Sequence, residues 1–186
     1  MVDPIISSDW AELASFYEIS GLRNTLFSLL FLSLSAVGSG GVSDQSYEQA
    51  AASHRKAAEQ GHAAAQYSLG FMYSKGHGVT QSDEQAVAWH RKAAEQGYAD
   101  SQFSLGIMYD YGLGVKQSDE QAVAWYRKAA DQGDADAQCL LGLMYFHGRG
   151  VKKSIEQSFY WSRKAANQGH EDAQKHLKYL EELLNT

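Results

Sequence analysis

Residues 82–117 read SDEQAVAWHRKAAEQGYADSQFSLGIMYDYGLGVKQ, and residues 118–153 restate them as SDEQAVAWYRKAADQGDADAQCLLGLMYFHGRGVKK. Working outward, an earlier copy opens at Ser46 and a later one at Ser154, so gapless blocks on a 36-residue period occupy 46–81, 82–117, 118–153 and 154–186. A fixed period of this length marks a stack of like units, each too small to bury its apolar side alone.

Each block reads as two helices. Ser82 with Gln85 gives a Ser-x-x-Gln capping signature, and Glu84 puts negative charge at the positive end of the helix dipole. AVAWHRKAAEQ is rich in helix formers, and Gly97 follows it where a left-handed residue ends a helix; Gly61, Gly133 and Gly169 hold the same place. A second helix, ADSQFSLGIMYDY, begins near Asp100 and stops at Gly112, and Gly112-Leu113-Gly114-Val115 leads into the next block. Leu105, Met108 and Tyr109 share one face of it. Gly106, repeated as Gly70 and Gly142, is costly inside a helix, so it is expected to admit the neighbouring helix's alanines, such as Ala86, Ala93 and Ala94. Trp89, Trp125 and Trp161 are expected to add buried area, with Ser53 in their place in the first block.

The pattern A-x-x-W-x-R-K-A-A-x-Q-G, then A-x-x-Q-x-x-L-G-x-M-Y-x-x-G-x-G-V, runs from Ala86 to Val115 and again from Ala122 to Val151. It resembles the Sel-1-like repeat family. The resemblance covers residues 46–186 and implies an all-α fold: an α/α solenoid, a right-handed superhelix of helix-turn-helix units related to tetratricopeptide repeats. It also implies a non-enzymatic scaffold for protein–protein interaction, and many bacterial members are exported. The fourth block departs from the pattern, with Lys178 for the close-packing glycine, Glu181 for the tyrosine, and no Gly-x-Gly loop; HLKYLEELLNT reads as an amphipathic last helix capping the stack.

Residues 1–45 differ in kind. Arg23, the apolar run from Leu26 to Gly38 and the small-residue exit SGG have the layout of a secretory signal cut near Gly38, and 13 apolar residues are short for a membrane span. The acidic residues Asp3, Asp9, Glu12 and Glu18 ahead of the run suit a true start near Leu22. The expected location is periplasmic or secreted, with no membrane span in the mature chain; an uncleaved apolar anchor is the alternative.

Net charge of −6 argues against nucleic-acid binding, and one cysteine, Cys139, excludes an internal disulfide or a cysteine zinc site. Ser53-His54-Arg55-Lys56 matches Ser-x-x-Lys of penicillin-recognising enzymes, but the companion Ser-Asp-Asn and Lys-Thr-Gly elements are absent. A cell-wall or β-lactam hydrolase, as linked to cysteine-rich members of the family, is therefore the alternative function. The seven histidines include no His-Glu-x-x-His, and the paired loop glycines lack the context of a nucleotide site, so no metal or cofactor is expected. Pairs such as Arg91/Lys92 and Arg127/Lys128 are expected to form salt bridges with acidic residues of adjacent blocks.

Solenoids bind through their concave surface. By similarity to tetratricopeptide repeats, the helix holding L-G-x-M-Y lines it. Counting from the Leu-Gly pair places there Ala64, Tyr67, Phe71, Ser74 and Lys75, then Asp100, Phe103, Ile107, Asp110 and Tyr111, then Asp136, Cys139, Leu143, Phe146 and His147. These positions vary between blocks while the packing positions hardly change. Tyr67, Phe71, Lys75, Phe103, Ile107, Asp110, Tyr111, Phe146 and His147 are the expected groove for a protein or peptide partner, a short helix included, and aromatic residues are the usual anchors of interfaces.

Overall fold

The structure is a computed structural model that describes residues 44–184, and the leader expected over 1–45 lies, but for its last two residues, outside them. Eight α-helices follow in order among these residues, with no strand: α1 (Asp44–Glu59), α2 (Ala63–Lys75), α3 (Asp83–Glu95), α4 (Ala99–Tyr111), α5 (Asp119–Asp131), α6 (Ala135–His147), α7 (Ile155–Asn167) and α8 (Glu171–Leu184). Each packs chiefly on the helix before and the helix after it, the pattern of an α/α solenoid.

The sequence signals act where they stand. Ser82, Ser118 and Ser154 are extended, and each Oγ accepts from the backbone N–H three residues on, at 3.2, 3.2 and 3.1 Å. Ser82 and Ser118 also donate to Glu84 and Glu120, so the first-turn carboxylate is held at the cap. Gly97 at φ +91° ends α3, and Gly112 at φ +70° ends α4. Gly114 has a second duty. A Cβ there would lie 2.3 Å from the Asp83 carbonyl carbon, so the loop presses its backbone onto the start of α3.

The mid-helix glycines admit something other than the expected alanines. A Cβ on Gly70 would stand 2.9 Å from the ring of His90, and one on Gly106 would stand 2.3 Å from the ring of Tyr126. On Gly142 it would meet Ser162 Oγ at 2.5 Å and the Ser162 backbone nitrogen at 3.2 Å. The glycine of one repeat therefore receives residue 90, 126 or 162 from the first helix of the next. The alanines Ala86, Ala93 and Ala94 are buried, but as filler of the core. Trp161 alone of the three expected tryptophans is buried; Trp89 and Trp125 are half-exposed and carry Lys92 and Lys128 ammoniums 4.0 and 3.8 Å from their ring centres.

The Arg–Lys pairs also differ from expectation, since no salt bridge to an adjacent block holds them among the described residues. Arg55, Arg91 and Arg127 donate instead to the hydroxyls of Tyr73, Tyr109 and Tyr145 within their own repeats, and each lysine or arginine in reach of a ring lies over it. A cation at a helix C-terminus with an aromatic neighbour gains from both the dipole and the ring's negative face.

Glutamines join the repeats. Gln66, Gln102 and Gln138, all buried, donate to the carbonyls of Ala58, Ala94 and Ala130 at 3.0, 3.1 and 3.0 Å. Their Oε1 atoms accept from Gln96, Gln132 and Gln168 of the following repeat at 2.7, 2.7 and 2.9 Å. α8 turns Ala173, His176 and Leu180 inward, while Tyr179, Leu183 and Leu184 stay exposed beside its charges.

Candidate interaction face of the second helices

The face expected for a partner lies on α2, α4 and α6. Within it, Tyr67 is half-buried, with its ring centre 5.5 Å from that of His90 and 5.3 Å from that of Tyr98. Burial, then Asp100 and Tyr98, pushes the Tyr67 phenol up to about 12, so it stays protonated as a hydrogen-bond donor. Phe71 stands edge-on to His77 at 6.3 Å, with the Lys75 ammonium 6.0 Å from its centre. Burial lowers the Lys75 pKa, with Asp83 opposing. Phe103 and Ile107 are half-buried against the central core, and Tyr111, 56% exposed, is the most open aromatic of the set. Phe146 and His147 are half-buried with rings edge-to-face at 4.8 Å.

Three residues counted onto this face lie buried in the structure. Leu143 and Cys139 belong to core clusters. Asp110 is 6% exposed; it accepts from the Tyr126 hydroxyl at 3.3 Å and pairs with Arg149, which also reaches Asp119 at 2.7 Å. Burial is costly for a lone carboxylate, and here a guanidinium and a phenol compensate it. The arginine links the Gly148-Arg149-Gly150 loop to the helix of the preceding repeat. A signal for this was present: only the block-two/block-three junction has an aspartate at position 110, where others have Ser74 and Phe146, and only block three has arginine at 149, where others have His77 and Leu113.

The turn between α7 and α8 gathers Cys139, Asp136 and His170. His170 Nε2 is 3.0 Å from Asp136 Oδ1, and its Nδ1 lies 3.2 Å from the Ala173 backbone nitrogen at the start of α8. The hydrogen bond with Asp136, then Cys139, pushes His170 up to about 10. Cys139 itself is 4% exposed. Ser53 sits exposed on α1. Among the described residues no three His, Cys, Asp or Glu side chains converge as a metal site, and no helix is long and apolar enough to cross a membrane.

Comparison with known proteins places the chain. The model of the Sel1 repeat matches four times, at residues 33–62, 63–98, 99–134 and 135–170, which frames the same period from the second helix onward. A protective antigen with an SLR fold from uropathogenic Escherichia coli is 44% identical over 67% of this chain and 27% of its own, with a TM-score of 0.65. A Sel1 repeat protein from Oxalobacter formigenes is 40% identical over 70% of this chain and 52% of its own, with a TM-score of 0.67. Cysteine-rich protein B of Helicobacter pylori is 26% identical, covering 74% of this chain and 98% of its own, with a TM-score of 0.56. The chain thus spans well under two thirds of the first two of these proteins. No curated protein matches it. With the period, the paired helices and four matched repeats in agreement, the chain belongs to the Sel1 repeat family.

Proposed function

We propose that the chain is a non-enzymatic, exported scaffold that holds a peptide or short helix of a protein partner in a groove lined by α2, α4 and α6. Sel1 repeat proteins are generally protein-interaction scaffolds, which supports the class. The observation that carries the finer reading is a contrast within the second helices. Leu69, Leu105 and Leu141 are each 0% exposed and identical in type, whereas the more open positions change from Tyr67 to Phe103 and from Lys75 to Tyr111 to His147. A frame kept constant beneath a changing surface is the arrangement of a solenoid adapted to one guest. Phe103 and Tyr67 supply apolar area, and exposed Tyr111 supplies an amphipathic anchor of the kind that dominates interface energetics.

The test compares the full chain with the Tyr67→Ala/Phe103→Ala/Tyr111→Ala variant. Proteins captured by the wild type are identified, purified and bound again to both. Weakening by tenfold or more in the variant, with its melting temperature maintained, supports the groove; equal binding overturns it. Export is tested separately by N-terminal sequencing of the chain recovered from the periplasm or medium, where a start after Gly38 is expected and retention of Trp10 counts against it.

A further inference from the structure

The outer face of α7 is built differently from the same face of the other first helices. It carries Glu156, Arg163, Lys164 and Asn167, where block two has Glu84, Arg91, Lys92 and Glu95 and block three has Glu120, Arg127, Lys128 and Asp131. The four charges cancel in those blocks, and Asn167 leaves one positive charge in excess in block four. Two rings enter with it: Phe159 stands where the others have Val87 and Val123, and Tyr160 where they have Ala88 and Ala124. Tyr160 is 49% exposed, and Arg163, Lys164 and Asn167 are exposed as well.

Arg163 has also lost the partner that its counterparts keep. Arg55, Arg91 and Arg127 each donate to a tyrosine hydroxyl 18 residues on. The residue 18 beyond Arg163 is Glu181, and no hydrogen bond or ion pair holds Arg163 among the described residues. Its guanidinium lies instead over the Phe159 ring, 4.4 Å from the centre, and Lys164 Nζ lies 5.3 Å from the centre of Tyr160. These four side chains line one hollow of about 390 Å³ that is open to solvent, together with Glu156 and Asn167. Glu156 precedes Arg163 by about two helical turns and forms no ion pair with it. A guanidinium lying on a ring keeps its in-plane N–H donors for a carboxylate, which it can hold through two parallel hydrogen bonds.

We propose that the outer face of α7 binds an acidic, apolar-flanked segment of a protein partner. One carboxylate sits on the Arg163 guanidinium beside the Lys164 ammonium, and the flanking apolar side chains rest on Phe159 and Tyr160. Charge complementarity selects this occupant: a cationic, aromatic hollow appears in one repeat only, on a chain whose net charge is −6. Arginine and tyrosine are also among the residues that carry most interface energy. The face belongs to a first helix and the groove proposed above to second helices, so the two surfaces are tested independently.

The full chain, labelled with nitrogen-15 in arginine, is titrated with acetyl-Ile-Asp-Glu-Val-amide, with acetyl-Ile-Asn-Gln-Val-amide and with inorganic phosphate. The Arg163 Nε–H resonance, assigned by its loss in Arg163→Lys, should shift saturably with the acidic peptide, at an affinity at least fivefold above that of its amide counterpart. Tyr160→Ala/Asn167→Asp, which restores the residues of block three at two exposed positions, should weaken binding of the acidic peptide at least fivefold with an unchanged melting temperature. Asn167→Asp alone should weaken it at least twofold. Equal binding of the two peptides, an unmoved Arg163 resonance, undiminished binding by the variants, or tighter binding of phosphate each overturns the proposal. So does a shift of the same resonance when the peptide-free chain is concentrated, which would give the face to the acidic and apolar residues 181–184 of a second copy.

Discussion

At the scale of single residues, the junctions between repeats are decided by what faces each mid-helix glycine. Gly106 lies under a fully buried Tyr126, and a methyl group there would sit 2.3 Å from ring carbon Cδ1. Gly106→Ala should therefore lower stability by about 2 kcal/mol despite alanine's better helix propensity, because overpacking costs about 1–3 kcal/mol. Gly70→Ala should cost less, since the His90 ring is 2.9 Å away rather than 2.3 Å. Urea unfolding of the two variants checks the order, and a milder effect at Gly106 would contradict it. Asp110 and Arg149 form the second device. Arg149→Met should cost about 3 kcal/mol, the low end for a broken buried pair because Tyr126 still donates to the carboxylate. The exchange Asp110→Ser/Arg149→His, which installs the residues of block one (Ser74 and His77), should cost less than Arg149→Met, and a larger loss would show that the unpaired Asp110 carboxylate is not what makes Arg149→Met costly.

At the scale of elements, the helices are set by their ends and the repeats by their glutamines. Ser118→Ala removes the acceptor for the Gln121 N–H and should cost about 1 kcal/mol, measured as a shift in the urea midpoint with unchanged slope. Gln102→Ala leaves the Ala94 carbonyl and Gln132 Nε2 without their shared partner and should cost about 1–3 kcal/mol; a change under ~0.5 kcal/mol would deny the ladder its role. The helix boundaries were legible because serine caps and left-handed glycines act locally, through the residue itself. The ladder was less so. Gln66, Gln102 and Gln138 recur visibly, but a polar residue on a helix gives no sign that its partner is a glutamine 30 residues on. The candidate face was legible in outline, through variable positions on a constant frame. Counting along a helix could not show that Asp110 turns inward to an arginine, or that His176 leaves the last cap to stand beside Phe146. Both depend on which side of the next repeat is small, and that is a property of two blocks together.

For the whole molecule, stability passes from neighbour to neighbour, so a weakness at one junction is felt there first. Acid exposes such weaknesses. His90, 3% exposed against Gly70, Tyr67 and Ser101, is held at about 4 by burial, and His176 at about 4 by burial and His147. A histidine whose folded pKa lies below its unfolded value of about 6.5 contributes its stability above that value. The contribution is lost as pH falls from 6.5 through 4, and 2.5 units correspond to about 3 kcal/mol per group. His170, raised by Asp136, acts in the opposite sense: its gain is complete by pH 6.5 and flat below, so it does not offset the loss. The junction between the second and third repeats holds Tyr126 in place of His90. Between pH 7 and 4.5 the array should thus soften at its two ends before its centre. Hydrogen exchange should show the amides of α2, α3 and α8 losing protection first and those of α4, α5 and α6 last. His90→Tyr, which copies the residue of the next repeat, should flatten the fall in stability over this range by about half, the remainder belonging to His176 and the carboxylates. Parallel stability–pH curves for the variant and the wild type would mean that His90 does not carry the acid sensitivity, and uniform loss of protection along the chain would mean that the repeats open together.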